Sequence, residues 1–320
     1  MRPFAINKWT TAALAADTST SKRSNLTAGV LLILPLTSLF MMLASLQTTG
    51  LSYVIGQIFG AVFFAQAFIL LHEMGHRSFF RTDWLHDVFG HFFAIVSFIP
   101  YYNWRKIHGL HHKFTGWRDL DPTTEKTFAS RLNPRQEKLI NTCWRYAIPL
   151  FTVGYRLGIY WKAEKLKRHL PKRSYNKCLV AMFGYGLFYL VTIALWGSLY
   201  LSVLPALLIS FVVTDHLTLS QHSHIDMPTS GGKRVSPIRF KDQDIFSRSL
   251  ELPSAISYFL FFNFNLHEAH HVRPDAPCYH LHRVEVASHN KYKLIPWLRK
   301  VKKMKGVDFI FRSDPNRIGF

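Results

Sequence analysis

The chain has 320 residues, 48% of them hydrophobic and 15% aromatic, and it carries 39 Lys+Arg against 19 Asp+Glu, a formal charge of +20 at pH 7. That much apolar side chain excludes intrinsic disorder, and that much positive charge implies an acidic partner surface, of which nucleic acid is the ordinary candidate. The placement of the charge argues against nucleic acid: Lys and Arg number 4 in residues 1–25, none in 26–76, 19 in 77–177, none in 178–232 and 16 in 233–320. The two stretches without a basic residue are also the most apolar, which is how a membrane protein sorts its charge.

In chain order, residues 1–25 are polar and rich in Ser and Thr, with no apolar core followed by small residues. No cleaved signal is expected, and the segment reads as a polar cytoplasmic N-terminus. Residues 26–46 and 51–71 are uncharged runs, each about 31 Å long as a helix and so matched to a bilayer core. The link at 47–50 has room only for a tight turn, so the two form a hairpin. Residues 178–196 and 199–217 form a second pair around Gly197-Ser198, the last carrying Asp215 and His216 near its end. Two hairpins put both termini, the middle loop and every basic residue on one side, which the positive-inside rule assigns to the cytoplasm. Residues 26–320 thus read as a single domain: an all-α membrane protein with four transmembrane helices in two hairpins and a cytoplasmic histidine-rich helical cap. The shorter apolar stretches 91–102, 147–161 and 257–266 cannot span and are expected to lie in the interface or to cover a buried site. The basic runs 162–173 and 291–305 suit either a solvated face or lipid headgroups. Cys143, Cys178 and Cys278 are too widely spaced for a disulfide framework or a thiolate site.

The chemistry concentrates in histidine. Of 17 His, eight fall in three clusters: His72-Glu73-Met74-Gly75-His76, His108-Gly109-Leu110-His111-His112 and His267-Glu268-Ala269-His270-His271. Spacings of three and four put imidazoles on one helical face. Eight exceed what one tetrahedral zinc can use and suit two metal ions with mainly nitrogen ligands, whose identity imidazole alone does not fix. The first cluster also fits HExxH, the zinc-protease pattern with Glu as general base, but one further ligand would complete that site and leave the other two clusters idle. Glu73, Glu268, Asp119 and Asp121 lie beside the clusters and are candidates to hold ligand imidazoles through their second nitrogen. Asn263 and Asn265 precede the third cluster and are candidates to bind a metal-bound water, orient ligands or cap a helix. His86, His91, His169, His280, His282 and His289 lack ligand spacing and read as surface or interface residues. Met74 and the aromatic stripe 259–264 read as core or tunnel lining.

The order HxxxH, HxxHH, HxxHH around two membrane hairpins, with flanking text HEMGHRSFF, WRKIHGLHHKFTGW and NFNLHEAHHVRPDAPCYHLHRV, resembles the membrane fatty acid desaturase and hydroxylase superfamily over residues 51–284. The resemblance implies two iron ions held by the boxed histidines on the cytoplasmic face, with O2 as co-substrate and oxidation of adjacent methylenes of a fatty acyl chain. Such chemistry needs a redox metal, because an unactivated C–H bond is beyond side-chain acid and base. It also implies a ninth histidine after the fourth span. His222 is chosen because Gln221-His222 resembles the QH of acyl-lipid desaturases, with His216 the alternative. HxxxH in the first box resembles acyl-lipid rather than acyl-CoA enzymes, and His267 departs from front-end desaturases, where Gln commonly stands. No HPGG haem motif, P-loop or GxGxxG unit is present, so electrons would come from a separate acidic donor (ferredoxin, rubredoxin or cytochrome b5) drawn to the basic surface. The sister reading is hydroxylation or ketolation of a lipid, sphingolipid or carotenoid; the distant ones are an intramembrane zinc protease and an inert lipid-binding scaffold.

Overall fold

The computed structural model describes residues 20–125, 127, 132–287 and 290–311. Only residues 20–25 of the polar N-terminal segment are among them, and His289 lies outside. The chain is predominantly helical. Helix α1 (Asn25–Ser45) starts at Ser24, whose hydroxyl accepts from the Thr27 N–H at 3.2 Å and satisfies one of the first-turn donors. Helix α2 (Gly50–His76) runs back along it, beginning at Gly50, which takes the left-handed φ of +63° that the tight reversal demands. Close approach of the two arms depends on absent side chains. A Cβ at Gly56 would lie 1.5 Å from Ser45 Oγ, and one at Gly60 would lie 2.7 Å from the Ala206 Cβ.

With 27 residues, α2 is about 40 Å long. It therefore outruns the apolar span expected at 51–71 and carries the first histidine cluster as its own last turn, ending at Arg77 with φ +57°. After it come α3 (Asp83–Val96) and α4 (Tyr101–Phe114). The apolar stretch 91–102, expected as one short helix, is divided between them. Phe98 turns to φ +56°, and Pro100 disfavours helix at the residue before it. Helix α3 buries Phe93 and Ala94 and exposes Trp84, Val88 and Phe92 on the opposite side, the arrangement of a helix lying along a membrane surface. His86, expected at a surface or an interface, is fully buried on α3: its Nε2 accepts from the Phe80 N–H at 2.9 Å and its Nδ1 donates to the Asp83 carbonyl at 3.1 Å. It closes the turn between α2 and α3.

Beyond α4 lie α5 (Pro134–Arg145), α6 (Leu150–Tyr155), which widens into a π turn at Arg156–Tyr160, and α7 (Ala163–His169). The third and fourth apolar runs form one 51-residue helix, α8 (Lys172–His222), interrupted only at Trp196 (φ −133°, ψ 37°) rather than at the expected Gly197-Ser198. Both its ends meet α4: Lys177 Nζ lies 6.0 Å from the Tyr102 ring and the His222 ring 4.7 Å from His111. A straight helix would separate residues 177 and 222 by about 68 Å, whereas residues 102 and 111 are about 14 Å apart. Hence α8 folds back on itself at Trp196. The remainder is short pieces: a parallel pair of three-residue strands, β1 (Ser249–Glu251) and β2 (Lys291–Lys293), then α9 (His267–Val272), α10 (Leu294–Val301) and α11 (Gly306–Ile310).

Three helices, α1, α2 and α8, are long and apolar enough to cross a membrane. Their outward faces are greasy: Leu26, Val30, Ile33, Phe40, Val180, Phe183, Leu190 and Leu201 are all more than half exposed. Each such side chain left in water forgoes about 1.5–3 kcal/mol, so the surrounding medium is hydrocarbon. Replacing Gly60 by Val will overpack the α1–α2–α8 junction and cost about 1–3 kcal/mol, read as a lower melting temperature in detergent. Gly29→Ala, where nothing lies within 4 Å of the new Cβ, will leave the melt unchanged.

Candidate metal centre

Four elements converge on one place. The last turn of α2 supplies His72 and His76, α4 supplies His108, His111 and His112, the final residue of α8 is His222, and α9 supplies His267, His270 and His271. They form two groups: His72, His76, His108, His112 and His270, and His111, His222, His267 and His271. Within each group the ligand atoms lie within 4.8 Å of one another. The groups abut, with the His112 and His271 rings 4.4 Å apart. His216 is in neither. It stacks on Trp144 at 5.4 Å and donates from Nδ1 to the Val212 carbonyl at 2.7 Å.

The imidazoles present the same nitrogen inward. Nε2–Nε2 distances are 2.8 Å for His76–His108, 3.1 Å for His108–His112 and 3.0 Å for His112–His270, then 2.9 Å for His222–His267 and 3.0 Å for His267–His271. Two nitrogens at about 2.1 Å from one metal stand about 3.0 Å apart when they subtend a right angle and about 3.4 Å at the tetrahedral angle. The observed edges match the former. His72 Nε2 is buried with no hydrogen-bond partner, a cost of about 1–3 kcal/mol in a metal-free protein. The donor set thus fits two metal ions.

Four of the outward nitrogens are held, which fixes the tautomer of those rings and leaves their inward lone pair available. His111 Nδ1 donates to Asp121 at 2.7 Å, His222 Nδ1 to the Phe246 carbonyl at 2.9 Å, His271 Nδ1 to Gln243 Oε1 at 3.1 Å and His72 Nδ1 to Glu73 at 3.1 Å. Burial, reinforced by the neighbouring imidazoles, drives His108, His112, His267, His270 and His271 well below the ordinary histidine range, so all five are neutral ligands at pH 7. Burial would raise Asp121, but His111 and the Thr123 N–H outweigh it and hold the carboxyl below its usual range.

The other carboxylates and amides act as struts. Glu73 Oε2 accepts from the Cys278 N–H at 3.0 Å and from the Ser78 hydroxyl at 3.1 Å, tying the first box to the segment after the third. Glu268 is fully buried beside the charge of Arg248, and its N–H donates to Ser249 Oγ at 3.1 Å. Asp119 accepts from the N–H and hydroxyl of Ser230 and pins a loop away from the imidazoles. Asn263 Nδ2 donates to the Cys278 carbonyl and Asn265 Nδ2 to the Leu250 carbonyl, while both side-chain carbonyls face the Ser257 hydroxyl at 2.9 and 2.8 Å. Their amides are spent on the turn that presents His267. Gln243 was not singled out by any motif, yet it joins boxes two and three, its Nε2 donating to the His112 carbonyl at 2.9 Å. Trp104, stacked on His108 at 4.8 Å, is four residues before it on α4, a helical spacing that placed it within reach.

A cavity of about 80 Å³ lies against His72, His108, His111, His222 and His267, walled by Phe68, Trp104, Leu219 and Phe264. It shares Thr123, Thr127, Phe151, Tyr155, Leu219 and Ile310 with a second cavity of about 370 Å³ between α5, α6 and α8.

Membrane-length helices whose ends meet two short helices around nine imidazoles define a membrane protein that could hold metal through nitrogen. The family described as fatty acid desaturase matches residues 48–298, and the chain belongs to that family. It is 27% identical over 240 residues to an sn-1 acyl-lipid omega-3 desaturase (ferredoxin) of Nostoc sp. (strain 36), covering 69% of this chain and 63% of that protein. It is 25% identical over 222 residues to an sn-1 oleoyl-lipid 12-desaturase of Anabaena variabilis, covering 67% and 62%. It is 22% identical over 297 residues to a fatty acid desaturase of Bacillus subtilis (strain 168), covering 87% and 80%. The chain thus spans under two thirds of the length of the first two relatives.

Asp121→Asn keeps the shape of the strut but removes its charge. Iron affinity, measured by competition with a chelator, will fall about 10–100-fold while the helical circular dichroism stays unchanged.

Proposed function

We propose that the protein is an O2-dependent acyl-lipid desaturase whose nine imidazoles, His72, His76, His108, His111, His112, His222, His267, His270 and His271, hold two iron ions. The observation that carries this reading is the convergence of nine inward nitrogens in two groups with cis-ligand spacing. Bound iron would supply the redox power to take hydrogens from adjacent methylenes and pass their electrons, with two from an outside carrier, to O2.

The chain's own residues bind and orient. An acyl chain would enter through the larger cavity, whose walls are mainly apolar, and pass Tyr155 and Leu219 to the smaller one beside His72, His108 and His111. Phe68, Trp104 and Phe264 exclude water there, so the oxidising equivalents meet the acyl chain rather than solvent. Asp121 keeps the His111 proton on Nδ1 throughout, leaving Nε2 for metal. Helices α1 and α2 and the two arms of α8 would make four crossings, with both termini and the metal centre on the cytoplasmic side where all 39 basic residues fall.

The protease reading is opposed by Glu73. Its carboxylate, which a protease would aim at a metal-bound water, is instead occupied by His72 Nδ1, Ser78 and the Cys278 N–H.

Expression in a host of known lipid content, followed by mass spectrometry of intact lipids and of their acyl chains, tests the reading. New double bonds on lipid-bound acyl chains are expected, and new hydroxyls or ketones would move the protein to the sister reactions. His111→Ala and His270→Ala will each reduce product by more than about 100-fold with the protein still in the membrane fraction. Undiminished product in either variant would overturn the metal assignment.

A further inference from the structure

We propose that the loop from Lys233 to Lys241 is the docking surface for the electron carrier, and that the carrier is an acidic iron–sulfur protein of the ferredoxin type seated over Phe240. The inference rests on the desaturase reading, since only a reaction that consumes electrons needs such a partner.

The first observation is position. Ring Phe240 is half-buried and lies 6.5 Å from the ring of His112. The loop is fastened over the second and third boxes: Trp117 Nε1 donates to the Ser236 carbonyl at 3.1 Å, and Gln243 contacts both the His112 carbonyl and His271 Nδ1. Ile238 packs where a Cβ on Gly116 would stand, 2.5 Å away, and Gly116 has a φ of +91°. A partner resting on this loop is separated from a ligand imidazole by one aromatic side chain. Electron transfer falls steeply with distance, so this is a favourable place to deliver electrons.

The second observation is charge. Lys233, Arg234, Arg239 and Lys241 are all exposed on the loop, and Arg239 alone is paired, with Asp242 at 2.7 Å. Among the described residues Lys233, Arg234 and Lys241 have no carboxylate within 4.0 Å. Several basic groups elsewhere around the site are paired with carboxylates: Arg23 with Asp83, Arg77 and Arg105 with Asp87, and Lys165, Arg168 and His169 with Glu125. The other basic run, at 299–305, sits by α5 and α11, where Lys302 covers the Trp144 ring at 3.9 Å, close to the outer cavity rather than the imidazoles. Unpaired cations beside the redox centre favour an anionic partner, through both faster encounter and tighter contact. The name of one relative specifies ferredoxin.

The electron count closes. Each docking oxidises one carrier by one electron, and two dockings serve one acyl chain. Those two electrons, the two electrons and two protons of the hydrogens removed from the pair of C–H bonds, and two protons from solvent reduce one O2 to two waters and leave one C=C bond.

The test uses the full chain, iron-loaded and in lipid nanodiscs, with a plant-type [2Fe–2S] ferredoxin as probe. Dissociation constants are measured calorimetrically at low and at physiological salt, together with the rate of reduction by dithionite. The variant Lys233→Glu/Arg234→Glu/Lys241→Glu should raise Kd by at least about tenfold and flatten its salt dependence, with dithionite reduction unchanged. Arg299→Glu/Lys303→Glu/Lys305→Glu, the same charge change on the distant run, should leave Kd within about twofold of the parent. Unchanged affinity in the loop variant, or a loss confined to the distant one, overturns the docking site. Normal ferredoxin binding without any acyl oxidation would instead overturn the desaturase reading, so the two failures are distinguishable.

Discussion

Nine imidazoles are pressed together, seven of them buried, and the rest of the structure follows from that constraint. A buried polar nitrogen costs free energy unless it finds a partner, and a protonated one among like neighbours costs more. Burial therefore keeps the rings neutral, and the inward nitrogens are satisfied only by something that accepts several lone pairs at once. Metal bound there would couple binding to folding through these nitrogens.

The surrounding polar residues keep the rings aimed. Box one is tied to the segment after box three by Glu73 and Cys278, box two to its own following loop by Asp121 and Thr123, and boxes two and three to each other by Gln243. The Glu73 and Gln243 struts join stretches far apart in the chain. Helix ends are well suited to carry the ligands, since α2 delivers two imidazoles on its last turn without breaking its hydrogen-bond ladder, and α8 delivers His222 as it terminates. Apolar residues of the same helices, Phe68 of α2 and Leu219 of α8 among them, also wall the smaller cavity.

Much of this was legible in the sequence. The hairpin of α1 and α2, the fold-back of α8 and the three histidine clusters all rest on local signals: uncharged runs of bilayer length, and imidazoles three or four residues apart. His222 was separable from His216 only by its neighbour Gln221, and the structure brings His222 to the cluster while turning His216 onto Trp144. Other features had no local signal. His86 read as a surface or interface residue because it lacks ligand spacing, and the structure seals it against Phe80 in the turn between α2 and α3. The stretch 91–102 looked like one helix because apolar periodicity does not register a left-handed residue at Phe98. The parallel strand pair β1–β2 was invisible, since three residues carry no readable alternation.

The sequence by itself determined composition, periodicity and spacing, and through them the membrane helices, the nitrogen-rich ligand set and its likeness to a family. Those are properties of neighbouring residues, and helix geometry converts them directly into a shared face. Tertiary structure alone decided how eight boxed histidines and one distant histidine divide into groups of five and four, which nitrogen each turns inward, and which carboxylates and amides hold them. It also decided that Phe240, on the loop that carries Lys233, Arg234 and Lys241, stands 6.5 Å from the His112 ring. Such outcomes depend on distances between residues up to 200 positions apart, and those distances are set only when the helices pack.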